Sequence, residues 1–154
     1  MKKVEIFKLH PDAKLPERGS ELAAGWDVTA TQISVNGTQA ICRLGFVMQI
    51  PEGYRVSIVP RSSLTKTNWV LQNSPGTVDA DYRGEVQVRF RAIPEKIVIA
   101  TTNKELFEVP SFPYEVGDRI AQIYLEKVIE TEYVEIFQIG ETARGEGGFG
   151  STGK

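Results

Sequence analysis

At 154 residues the chain fits one domain, long enough to bury a single core. Its 41% hydrophobic and 25% charged residues are ordinary for a globular protein, and a formal net charge of -2 argues against a general nucleic-acid binder, which carries a basic excess. A single cysteine excludes an internal disulfide and a Cys-rich zinc site; with no apolar run of roughly eighteen residues and no signal-peptide core at the N-terminus, a cytoplasmic setting and no membrane partner are expected.

Eight Pro and 14 Gly among many β-branched residues favour short strands over long helices. Residues 4–9 read as a strand that runs into a loop at Pro11 and Pro16, where His10, the only histidine, reads as structural. The stretch 23–30 sets small residues before the pair Trp26-Asp27. Residues 38–50 read as two strands, with Cys42 a small strand residue in the first. After the turn at 51–54, residues 55–59 alternate polar and apolar and stop at Pro60. Arg61-Ser62-Ser63-Leu64 then breaks the pattern. A short helix capped by a Ser would present free N–H groups beside Arg61, an anion site, although an ordinary strand-to-helix corner fits the same residues.

Residues 69–73 return to strand, and 76–88 form the stretch around which the chain is organised. Residues 85–90 alternate strictly, Thr77-Val78 is β-favouring, and Asp81-Tyr82-Arg83-Gly84 has turn chemistry. A β-hairpin is expected, with Asp79, Asp81 and Tyr82 at its tip. Such groups on a short, stiff support suit a reaction centre; from this stretch alone, a surface hairpin with acids for solubility is the simpler reading. Residues 97–100 and 106–109 look like a further strand pair. The turn Gly117-Asp118-Arg119 leads into an apolar strand, 120–125, in which Gln122 requires a polar partner. Residues 133–137 are the last expected strand. About ten short strands imply an all-β sandwich or barrel. Residues 144–154, with five Gly, form no stable element alone, yet Phe149 among hydroxyls and cations suits a flexible arm folding over a flat ring and a phosphate chain.

Five segments resemble, in order, the five motifs of the homotrimeric deoxyuridine triphosphatases (dUTPases): Ala24-Gly25-Trp26-Asp27, Pro60-Arg61-Ser62-Ser63-Leu64, residues 76–85, Gly117-Asp118-Arg119-Ile120-Ala121-Gln122, and residues 144–153. The resemblance covers nearly the whole chain. It implies a distorted jelly-roll-like β-barrel of short strands with one short helix over 1–143, and an arm, 144–154, closing over the active site. It implies a homotrimer whose three sites each draw on all three subunits. The implied reaction is hydrolysis of dUTP to dUMP and diphosphate with Mg2+, by in-line attack of water on the α-phosphorus, which limits uracil in DNA and supplies dUMP for dTMP synthesis.

By motif position, Asp79 resembles the general base and Tyr82 the residue whose ring packs under the deoxyribose and excludes a 2′-hydroxyl. Asn73 and the backbone around Val78 and Gln87 correspond to the uracil-reading groups. Arg61, Ser62, Ser63 and Gln122 resemble the phosphate-binding residues. Phe149 corresponds to the residue that stacks on uracil, Arg144, Ser151 and Thr152 to those that grip the γ-phosphate, and Gly150 to a further substrate contact of the arm. Mg2+ is expected on the phosphates and water, with Asp27 reaching it at most through water.

One departure is a longer stretch at 91–114, a surface insertion that is either a passenger or, as in some phage-type relatives, a segment that meets a protein partner. A dCTP deaminase-like enzyme shares the fold, but the Phe149 arm fits the hydrolase better. A catalytically silent regulatory relative would have no need of Asp79 at the tip.

Overall fold

The computed structural model describes residues 2–99 and 104–148. Among them the alternating pattern becomes thirteen strands: β1 Glu5–Lys8, β2 Glu17–Arg18, β3 Trp26–Thr29, β4 Gln32–Asn36, β5 Gln39–Arg43, β6 Phe46–Gln49, β7 Tyr54–Pro60, β8 Trp69–Leu71, β9 Gly76–Val78, β10 Gln87–Ala92, β11 Glu95–Ile99, β12 Lys104–Glu108 and β13 Arg119–Lys127. They form a five-stranded sheet, β2-β3-β13-β7-β9, a four-stranded sheet, β4-β5-β10-β8, and two pairs, β1-β6 and β11-β12. The all-β, jelly-roll-like expectation holds. The sheets do not close into a barrel, however, because the edge strands β2, β8 and β9 are only two or three residues long and offer too few backbone groups to bridge the gaps.

Period-two burial builds the core. In β10, Val88, Phe90 and Ala92 point inward while Arg89 and Arg91 are exposed, and in β5 Ala40 and Cys42 are buried. Phe46, Met48, Val56, Ile58 and Ile120 join them in one cluster. Burial pushes the Cys42 thiol up to about 12, so the thiolate is not available as a nucleophile at neutral pH.

Three elements differ from expectation. The stretch 76–88 is not a hairpin: β9 pairs with β7, as Val56↔Val78 and Ile58↔Gly76, whereas β10 pairs with β5 and β8. Its two arms therefore belong to different sheets, and residues 79–86 cross between them. The helix after Pro60 is a single 3-10 turn, Ser62–Lys66, with no side-chain cap at Arg61. Without that cap, and with no acidic residue in its first turn, little favours extension into an α-helix. Residues 133–137 form no strand within the chain, where Tyr133, Val134, Ile136 and Phe137 all lie exposed.

The strands of the 91–114 stretch, β11 and β12, pair with each other in register from Glu95↔Glu108 to Ile99↔Lys104. Their exit is pinned by stacking. Phe112 packs edge-on against Trp69 at 4.9 Å and Phe90 at 5.4 Å, and Trp69 Nε1 donates to the Ser111 carbonyl at 3.0 Å.

Candidate active site

The described site residues fall into two clusters and a crossing loop. The first cluster is built on the five-stranded sheet, where β3 and β13 set Asp27 opposite Gln122. The chain leaving β7 at Pro60 brings Arg61 to the same place. Asp27 is 4% exposed. Its Oδ1 accepts from Arg61 Nε at 3.1 Å and from Gln122 Nε2 at 3.0 Å, and its Oδ2 accepts from Arg119 Nη1 at 3.1 Å. Arg61 Nη1 also donates to the Arg119 carbonyl at 3.0 Å. The lone Gln of an apolar strand thus finds the partner it requires.

One carboxylate against two guanidinium groups leaves this cluster with a local excess of positive charge. Each Arg has five N–H donors, and those not spent on Asp27 or the Arg119 carbonyl are free for an anion. The Arg61 side chain is 24% exposed and that of Arg119 56%, so both reach solvent from a buried anchor. Gly25 explains the small residue before Trp26-Asp27: a Cβ there would come within 3.3 Å of the Gln122 side chain. Ser62 and Ser63 sit exposed at the start of the 3-10 turn, beside Arg61.

The second cluster joins Asn73 to β10. Asn73 Nδ2 donates to the Gln87 carbonyl at 3.1 Å, and its Oδ1 accepts from Arg89 N at 2.8 Å. The side chain therefore serves as one more rung on the edge of the sheet. A cavity of about 240 Å³ lies beside it, lined by Gln39, Ala40, Ile41, Gln72, Asn73 and Arg89. Val78 is buried at the end of β9. Gly76 is needed for close approach, since a Cβ there would lie 2.7 Å from the Asn73 carbonyl oxygen and 3.1 Å from Ile58 Cβ.

Between the clusters runs the loop with Asp79 and Tyr82, both exposed. Its turn is closed by Tyr82 N donating to the Asp79 carbonyl at 3.2 Å, and by Arg83 Nη1 donating to the Ala80 carbonyl at 2.6 Å. Glu85 anchors its exit: its carboxylate accepts from Arg43 Nη1 at 2.5 Å and from Gly45 N at 3.1 Å. Val86 then bonds Phe46 and Leu44 through its backbone. No hydrogen bond among the described residues links this loop or the Asn73 cluster to the Asp27 cluster.

Of the arm, Arg144 is described: it is exposed and donates to the Gly147 carbonyl at 2.7 Å, apart from either cluster. Phe149, Gly150, Ser151 and Thr152 lie outside the described residues. Sequence reasoning gave no role to Arg119 or Glu85. Arg119 lies in a quoted motif, but only the folded sheet puts its guanidinium against Asp27; Glu85 pairs with a residue 42 positions away.

No group of three or more His, Cys, Asp or Glu able to hold a metal ion occurs among the described residues. The donor set fits an ion carried by phosphates and water. Asp27 already accepts three hydrogen bonds, and a carboxylate has about four lone-pair positions, so room remains for one metal-bound water.

A family model described as dUTPase matches residues 11–153. The chain is 40% identical to the deoxyuridine 5'-triphosphate nucleotidohydrolase of Wolinella succinogenes, over 99% of this chain and 95% of that protein. Among solved structures, a Staphylococcus bacteriophage 80alpha dUTPase mutant with dUpNHpp covers both chains completely at TM-score 0.79 and 23% identity. A mutant dUTPase from phage phi11 of S. aureus, described as revealing the coordination of a structural Mg(II) ion, matches at TM-score 0.67 and 20% identity over 88% of this chain and 97% of that one.

Proposed function

The chain belongs to the dUTPase family, and from that premise we propose how its own residues carry the reaction. The protein is a dUTP diphosphatase: it hydrolyses dUTP. In our reading a water attacks the α-phosphorus in line, Asp79 takes its proton, and the bond from the α-phosphorus to the α–β bridging oxygen breaks. The products are dUMP and diphosphate. A positioned base of this kind is worth roughly 10² to 10⁴ in rate.

The observation that carries this reading is the Asp27 cluster. Asp27 fixes Arg61 and Gln122 from behind, so that Arg61, Gln122, Ser62 and Ser63 meet the phosphates in a preset arrangement. Asn73, held flat against β10, presents with the backbone around Val78 and Gln87 an edge for uracil. Tyr82 lies under the sugar. Asp27 would reach a Mg2+ ion carried by the triphosphate through water, and that ion would supply charge neutralisation for the leaving diphosphate. The arm, 144–154, closes over the nucleotide with Phe149 on the uracil, Arg144, Ser151 and Thr152 around the γ-phosphate, and Gly150 a further substrate contact.

Incubation with dUTP, dCTP and dTTP, assayed separately for diphosphate and ammonia, tests the reading. Diphosphate from dUTP at a rate at least about tenfold above the other two is expected, with no ammonia from any. Ammonia from dCTP would replace this reading with deamination.

A homotrimer with shared sites, working in the cytoplasm, belongs to the same proposal. One observation supports a neighbouring subunit: residues 129–139 expose a run of large apolar side chains, Tyr133 at 95% and Phe137 at 99%, that such a subunit would cover. Trimers mixed from Asp79→Asn chains and chains lacking 144–154 should then regain activity that neither parent has, because some sites combine an intact base with an intact arm. Mixed trimers, verified by native mass spectrometry, with no activity above the parents would refute the shared site. No helix among the described residues is long and apolar enough to cross a membrane.

A further inference from the structure

The Tyr82 ring does not stand free on its loop. Its hydroxyl donates to the Glu85 carbonyl at 3.3 Å, folding the side chain back along its own turn. In that position the ring crosses Gly84: a Cβ added at Gly84 would overlap Tyr82 Oη and Cζ and lie 2.9 Å from Cε2. The backbone gives no other reason for glycine, since Gly84 is absent from the residues with positive φ. The accepting carbonyl is itself fixed, because the Glu85 side chain is tied to Arg43 and Gly45 N, and Val86 to Leu44 and Phe46.

We infer that Gly84 is a specificity-determining position: the space of its missing side chain, together with the Glu85 carbonyl, sets where the Tyr82 ring lies and hence how strictly a 2′-hydroxyl is refused. Gly84 touches no substrate in this account; it is a positioning residue that acts through Tyr82. The inference rests on the placement of Tyr82 under the sugar proposed above. Tyr82 is 46% exposed, so a methyl at Gly84 displaces the ring towards solvent and leaves the core untouched. A displaced ring opens room where a ribose hydroxyl would sit.

The test is the ratio of kcat/KM for UTP to that for dUTP. Gly84→Ala is expected to raise it by about tenfold, the order of selectivity one steric contact provides, with the melting temperature nearly unchanged. Tyr82→Ala should raise the ratio at least as much, and Gly84→Ala should add nothing in that background, since two changes acting through one ring are not additive. Tyr82→Phe, which leaves Gly84 alone, removes the bond to Glu85 and should raise the ratio roughly threefold. A normal ratio in Gly84→Ala or in Tyr82→Phe, while Tyr82→Ala raises it, overturns this inference alone. A normal ratio in Tyr82→Ala overturns the placement of Tyr82 under the sugar, and this inference with it.

Discussion

Asp79→Asn is expected to lower kcat by about 10²-fold or more while nucleotide affinity stays close to that of the unaltered chain. Asparagine keeps the size and one oxygen of the side chain but cannot accept a proton from water. The fold should be indifferent to the change. Asp79 is exposed, only its backbone carbonyl is engaged, by Tyr82 N, and its carboxylate holds no partner among the described residues. The loss should therefore fall on kcat, and binding of a non-hydrolysable imido analogue of dUTP, followed by calorimetry, should be retained. Turnover within a few-fold of the parent would mean that another group activates the water.

Asp27→Ala is expected to damage stability and activity together. Removing one partner of a buried pair leaves the other charge without compensation, at about 3–5 kcal/mol where both partners are buried. Here Arg119 is more than half exposed and can rehydrate, but Arg61 and Gln122 cannot do so fully. A loss near the lower end, about 3 kcal/mol, follows. For a chain of this size that is a fall in Tm of roughly 6–12 °C. In the same variant Arg61 and Gln122 lose the acceptor that orients them, so KM for dUTP should rise as well. Thermal unfolding and steady-state kinetics check the two halves. A variant with normal Tm would show that Asp27 is not the anchor of the cluster.

Much of the architecture could be read from alternation, because period-two patterning is a local property. Residues 39–43, 46–49, 54–60 and 119–127 are strands close to where the pattern puts them. What alternation lacks is the identity of the partner. Gly76–Val78 and Gln87–Ala92 are near in sequence and flank a good turn, yet they are completed by β7 and β5, strands that lie well back along the chain. The pattern of Val134 and Ile136 demands a partner too, and finds none among the described residues. The same division holds for the site. Gln122 announced itself as a polar residue in an apolar run, and Asp27 as an acid beside an aromatic residue. Arg119 gave no such sign, since an Arg after a turn is ordinary until the sheet sets it against Asp27.

The crossing of residues 79–86 from one sheet to the other bears on how this reaction centre can be transplanted. Copied into a foreign scaffold as a hairpin, residues 76–88 would reproduce the letters and lose the shape, because no turn joins two paired stems here. A recipient must offer an edge to receive Gly76–Val78 in one layer and an opening beside a second strand for Gln87–Ala92 in another, with the layers about 10 Å apart. It must also supply a cation and a free backbone N–H to hold Glu85. The portable unit is the two-layer frame, and a change in the length of residues 79–86 would pull the base away from whatever it serves.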